Sequence, residues 1–136
     1  MADEGRSFQV EIITPDRIFH TGTATMIEFN TAAGEIGVYK SHIPLTTVLA
    51  PGIVTIHGDG AEDIRAAVHS GFAEILPDKV TLLAEIAEWP DEIDKSRAEA
   101  AKARAEERLA TKAETTDIKR AEFALRKALV RIDIAK

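Results

Sequence analysis

Short apolar or alternating stretches recur between turn signals through the first two thirds of the chain. Phe8-Gln9-Val10-Glu11-Ile12 alternates and ends at Thr14-Pro15-Asp16, and Ala24 to Phe29 follows Thr21-Gly22. Gly34 to Tyr39 and Leu45 to Leu49 come next, and Ala50-Pro51-Gly52 separates them from Ile53 to His57. Gly58-Asp59-Gly60 is a strong hairpin signal, after which Ile64 to His69, Phe72 to Leu76 and Val80 to Ala87 complete the series. Short strands at a spacing of roughly 8–12 residues predict a β-sandwich or barrel.

The pattern changes after Pro90. All eight glycines and all five prolines lie at or before that residue, and an Ala, Glu, Lys and Arg run follows. Loss of punctuation together with strong helix formers predicts helices. Asp91 offers a cap for the first, Asp94 favours its N-terminus, and the helix runs to about Ala110. Thr115-Thr116-Asp117 offers a second cap, and the next helix runs to about Ile134. Ile118, Ala121, Leu125, Ala128 and Ile132 form a seam of alternating three- and four-residue steps, answered by Ala98, Ala101, Ala105 and Leu109. The short link makes the two helices antiparallel neighbours. Alanine buries little area, so pairing across this seam is weak while each helix holds by itself. Two behaviours fit: a hairpin that opens or re-docks without melting, or one packed permanently on the sandwich.

Charge sharpens the division. Through Pro90 five bases stand against 13 acids; from Asp91 onward twelve stand against ten, for a net −6 over 136 residues. The acidic balance argues against a nucleic-acid binder, which needs clustered positive charge. With no cysteine, there is no disulfide framework, thiolate metal site or cysteine nucleophile. The N-terminus reads as neither a secretory signal nor a transit peptide, and no apolar run reaches membrane-spanning length. His20, His42, His57 and His69 lack helical ligand spacing and are expected on turns or sheet faces. No phosphate loop, Gly-x-Ser-x-Gly elbow or acid/base constellation is present, so a non-catalytic chain is expected.

The basic residues of the helices are the chemical lead. Arg97 and Arg104 share one helical face, as do Lys127 and Arg131. In an antiparallel hairpin these sets can converge into a pocket for a polyphosphate, with arginine as a bidentate clamp. The competing reading is ordinary surface pairing, such as Asp94–Arg97 or Glu122–Arg126, worth a few tenths of a kcal/mol.

Several segments together resemble the ε-subunit family of bacterial F-type ATP synthases. They are Thr14-Pro15-Asp16-Arg17, Gly34-Glu35-Ile36-Gly37 with His42-Ile43-Pro44-Leu45, and Gly71-Phe72-Ala73-Glu74 with Val80 to Ala84. The resemblance runs from about Phe8 to Ile134. It implies an N-terminal antiparallel β-sandwich of about ten strands over residues 1–88 and a C-terminal antiparallel two-helix hairpin over 89–136. It implies a rotor component of the central stalk at the cytoplasmic face of the bacterial membrane, coupling proton translocation to ATP synthesis. The sandwich would bind the γ subunit and the ring of c subunits, with Glu35 in the loop facing that ring and His42 near the rotor contacts. Lys40-Ser41 stands where many members have Pro-Gly.

The same resemblance implies that the hairpin is an inhibitory switch. Folded, it lies on the sandwich; extended, it reaches the catalytic α and β subunits and blocks ATP hydrolysis. Some members stabilise the folded form with ATP, with or without magnesium, through an Ile/Leu-Asp-x-x-Arg-Ala motif. The matching residues are Ile93, Asp94, Arg97 and Ala98, and Glu88, Arg104 and Arg131 match further nucleotide-contacting positions. Lys127 replaces an arginine, keeping the charge and losing the fork. The alternative is a stand-alone ATP-sensing module with no rotary partner.

Overall fold

The computed structural model describes residues 5–58, 60, 62–111 and 117–135. Thr115, Thr116, Asp59 of the expected hairpin turn and the link between the helices lie outside these. Eight strands are described, against the expected ten or so: β1 (Phe8–Ile13), β2 (Ile18–Ala24), β3 (Met26–Thr31), β4 (Gly34–Val38), β5 (Leu45–Val48), β6 (Gly52–His57), β7 (Ile64–Leu76) and β8 (Lys79–Glu88). A 3-10 turn over Pro90–Glu92 leads to α1 (Lys95–Thr111) and α2 (Ile118–Ile134).

The strands form one hydrogen-bonded path, β2-β1-β8-β7-β6-β3-β4, with β5 also on β7. β7 makes this path a sandwich. One edge pairs first with β6, Val68 opposite Gly52, and then with β5, Phe72 opposite Val48, while the other edge stays on β8 in a constant register. The change of layer falls at Ser70 and Gly71, whose φ angles are 54° and 123°. The two expected strands, Ile64–His69 and Phe72–Leu76, are therefore one bent strand. Pairing is antiparallel throughout except between β1 and β8, which run parallel.

Thr21-Gly22 is not a turn. It lies within edge strand β2, with Gly22 opposite Val10. The polar run His20–Thr23 hides a strand that is anchored at its ends by buried Phe19 and Ala24. Edge strands tolerate such residues because one face and one side meet water.

Alternation places the core. Val10 and Ile12 of β1, Ile27 and Phe29 of β3, Val54 and Ile56 of β6, and Val80 and Leu82 of β8 point inward. Burial of each such side chain stabilises the fold by about 1.5–3 kcal/mol. The first half of β7 breaks the alternation: Ala66, Ala67, Val68 and His69 are all buried. Ala66 and Val68 join the sandwich core, while Ala67 packs with Ile93 and Ile134 in a second cluster beneath the hairpin. The hairpin is thus in its folded position, covering one outer face of the sandwich.

Asp94 caps α1, its Oδ1 accepting the Arg97 N–H at 3.1 Å. Asp91, expected as the cap, lies instead in the preceding 3-10 turn. Asp117 caps α2 through the Arg120 N–H at 3.0 Å. Ala98, Ala105, Ala121 and Ala128 are buried along the seam, while Ile118, expected in it, is 47% exposed in the first turn of α2.

Candidate functional site: the cleft between sandwich and hairpin

The chain leaves β8 at Glu88 and enters α1 at Lys95, and the intervening segment is held against the sandwich. Trp89 stacks on Phe19 with ring centroids 4.2 Å apart. Glu92 accepts the Trp89 N–H at 2.9 Å and a pair of contacts from Arg17 Nη2 at 2.8 and 2.9 Å. The Trp89 backbone bond, followed by Arg17, lowers the pKa of Glu92. This anchoring fixes where α1 starts and opens a cleft of about 350 Å³ beside it.

Three arginines reach that cleft from two helices. Arg97 and Arg104 stand on one face of α1, with Ala98 and Ala101 between them contributing only methyl groups to the wall. Arg131 arrives from α2, its Nε–H donating to Glu88 Oε1 at 2.7 Å. Among the described residues neither Arg97 nor Arg104 makes an ion pair; Asp94 is engaged with the Arg97 backbone instead of its guanidinium. Glu122 and Arg126 likewise form no pair among the described residues, so neither surface pairing weighed from the sequence exists. Arg97 and Arg104 are exposed and carry no carboxylate partner among the described residues, and cations so placed around a cavity attract an anion with several oxygens.

Glu88 is the hub. His69 Nε2 lies 3.2 Å from the same Oε1 that Arg131 reaches. Burial pushes the Glu88 carboxyl up, but the hydrogen bonds from His69 and Arg131 outweigh it, and the pKa falls to about 2. Burial lowers the pKa of His69, Glu88 opposing and Arg131 and Lys127 adding to the fall.

Glu88, Ile93, Asp94, Arg97, Ala98, Arg104 and Arg131 all border this one cleft. Lys127 does not: one turn before Arg131, its ammonium lies 5.1 Å from the Phe123 ring centroid. Sequence reasoning missed Glu92 and His69. Glu92 stood beside the motif as a visible acid, whereas a single histidine in a strand gave no signal.

Elsewhere, Glu35 sits in strand β4, opposite Asn30, rather than in the loop expected for it. It borders a groove shared with Leu129 and Asp133 of α2. His42 is half-buried between β4 and β5, its Nδ1–H donating to the Ile43 carbonyl at 2.6 Å. Ser41 adopts φ 69°, and its N–H reaches the Pro77 carbonyl at 2.7 Å. Among the described residues no group of His, Asp or Glu is arranged to hold a metal, and no helix is long and apolar enough to cross a membrane.

A second feature is an apolar row on the outer face of the other layer. Val48 pairs with Phe72, Phe72 with Leu83, Leu83 with Ile13 and Ile13 with Ile18. Phe72 is 55% exposed and Ile18 65%. The next row, Thr46-Glu74-Thr81-Glu11-Thr21, is polar.

Comparison with known proteins decides the family. Residues 7–90 match the β-sandwich domain of the ATP synthase delta/epsilon chain, and residues 91–136 match its long α-helix domain. The chain belongs to the ATP synthase delta/epsilon family. An ATP synthase epsilon chain from Shouchella clausii is 47% identical over 130 residues, 96% of both chains. Another from Bacillus velezensis is 42% identical over 96% of this chain and 98% of that one. A chain in the Euglena gracilis mitochondrial ATP synthase, solved with OSCP, F1 and c-ring, shares the fold with a TM-score of 0.81. It is 22% identical, with 93% of this chain and 79% of that one covered. The chain is thus an epsilon-type, non-catalytic subunit of ATP synthase, and the stand-alone sensor reading is set aside.

Proposed function

We propose that the chain is a rotor subunit whose hairpin is a nucleotide-gated brake on ATP hydrolysis. The observation that carries this is the convergence of Arg97, Arg104 and Arg131 with Glu88 around one cleft that exists only while the hairpin is folded. A polyphosphate there touches α1, α2 and the linker together. It therefore binds the folded state better than the extended one, and this difference is the free energy available for switching. Abundant ATP, with or without magnesium, holds the hairpin down; scarce ATP frees it to extend toward the catalytic α and β subunits, where its basic faces meet acidic loops.

The apolar row supports the γ subunit as the partner on the opposite layer, because the centre of a stable interface is depleted of charge and rich in aromatic and aliphatic anchors. The edge carrying Glu35 and His42 is assigned to the c ring at the cytoplasmic membrane face. Calorimetric titration of the full chain with ATP, with and without magnesium, tests the cleft. Saturable binding is expected, weakened at least about tenfold in Arg97→Ala through loss of a charge-assisted clamp. No uptake at millimolar ATP overturns the gating. Phe72→Glu is expected to abolish co-purification with γ while leaving ATP binding unchanged; undiminished co-purification removes the apolar row as the docking surface.

A further inference from the structure

Of the four histidines only His69 is fully closed off from water. It shares the outer face of β7 with Ala67, which packs against Ile134 of the hairpin. Across the strand pair Ala67 faces Glu88 and His69 faces Ile86, so His69 and Glu88 are diagonal neighbours on one face. Its Nε2 lies 3.2 Å from Glu88 Oε1, and its Nδ1 is buried without a hydrogen-bond partner among the described residues.

These contacts dictate the tautomer. An ionised carboxylate only accepts, so the imidazole proton must lie on Nε2. The other tautomer would bury an unpaired N–H and aim a lone pair at the carboxylate, losing a hydrogen bond and adding a repulsion. With Nε2–H donating, Glu88 Oε1 receives two N–H groups, one from β7 and one from Arg131 on α2. Arg131 is thereby held by its Nε, which leaves its terminal nitrogens for the cleft it borders.

We propose that His69 is a positioning residue of the cleft, a neutral Nε2–H donor that fixes Glu88 and, through it, Arg131 in the geometry an anionic ligand requires. This rests on the cleft being the nucleotide site proposed above. The charged groups facing His69 are Glu88 from β8 and Arg131 and Lys127 from α2. A second proton would give Nδ1 a donor with no acceptor and place a buried cation before two others. Burial lowers the His69 pKa below its ordinary value of 6.5. The docked cleft is therefore favoured above about pH 6.5, and that contribution is lost as pH falls through the lower folded-state value.

The test uses the full chain, isotope-labelled, with His69→Gln, which keeps an N–H donor near the Nε2 position without titrating, and His69→Leu, which removes it. Ring nitrogen shifts at neutral pH are expected to show the Nε2–H tautomer. At about pH 4, below the ordinary glutamate midpoint, the Glu88 carboxyl carbon should report an ionised group in wild type and His69→Gln and a partly protonated one in His69→Leu. With ATP as probe near pH 7.5, His69→Gln should bind as wild type and His69→Leu about tenfold more weakly. Toward about pH 5.5 wild type should weaken more than His69→Gln, which shares any loss from protonation of ATP itself but has no side chain that titrates at position 69.

An Nδ1–H tautomer, identical Glu88 ionisation in all three proteins, or His69→Gln behaving like His69→Leu overturns the proposal. If no protein takes up ATP yet Glu88 ionisation still separates the variants, the nucleotide reading fails and the positioning role stands. Should His69→Leu not fold, the tautomer and the pH profiles of wild type and His69→Gln decide.

Discussion

Gly71→Ala is expected to destabilise the sandwich by about 4 kcal/mol or more, through strain plus a backbone clash. Gly71 sits at φ 123°, where residues with a side chain rarely go. An added Cβ would lie 2.0 Å from the Leu83 carbonyl oxygen and 2.9 Å from Ala84 Cα, both backbone atoms of β8 that have nowhere to move. The position is also the corner at which β7 passes from β6 to β5, and the Gly71 carbonyl accepts the N–H of buried Leu49 at 2.9 Å. Relief of the clash therefore pulls apart two strand pairs and the end of β5. For a domain of this size the melting temperature should fall by roughly 15–25 °C. Gly34→Ala is the control: φ is 124°, but nothing lies within 4 Å of the added carbon, so strain acts alone. Thermal unfolding followed by circular dichroism separates the two, and equal losses would remove the clash from the account.

How much of this architecture was legible depended on the range over which each signal acts. Alternation exposed β1, β6 and β8 directly, because each has one face in the core and one in water. It failed at β2, whose polar middle His20–Thr23 conceals a strand anchored only by Phe19 and Ala24. At β7, Ser70-Gly71 looked like a break and is a bend. The four consecutive residues Ala66–His69 are covered on both faces, and nothing local in the sequence says that the cover is a hairpin some sixty residues later. Helix capping was nearly legible: two aspartates competed for the start of α1, and the 3-10 turn begun by Pro90 gave the role to Asp94.

The site divides the same way. Arg97 and Arg104 could be paired from helical spacing, and the Ile93–Ala98 motif from resemblance. Arg131 with Glu88 and Arg17 with Glu92 join residues 43 and 75 positions apart, and such contacts are set by tertiary packing alone. The departure at Lys127 also reads differently in three dimensions. Its charge is felt at His69, but its ammonium lies over Phe123 and not in the cleft wall.

Arg131→Ala should release the hairpin while the sandwich stays folded. The substitution strips Glu88, whose side chain is 25% exposed, of its charged partner and leaves the carboxylate with His69 alone. Loss of a charge-assisted bond to a largely buried carboxylate costs about 2–3 kcal/mol. Little else resists opening: the cluster beneath the hairpin has Ala67, Ile93 and Ile134 at its centre, and the seam between the helices is alanine. Hydrogen exchange of the α2 amides around Val130 and Ile134 should therefore quicken by roughly 30- to 150-fold, a tenfold change for each 1.4 kcal/mol. The amides of β1, β3 and β8 should keep their protection. Acid reproduces the effect in wild type. The Glu88 pKa of about 2 lies below its ordinary value of 4.5, so the contribution of Glu88 to docking is complete above pH 4.5 and drains away as pH falls toward 2. In Arg131→Ala that dependence should be flatter, because the Arg131 share of the lowering is gone and only that of His69 remains. Equal loss of protection in strands and helices would instead make the hairpin an integral part of the sandwich, with no free energy left over for a ligand to switch.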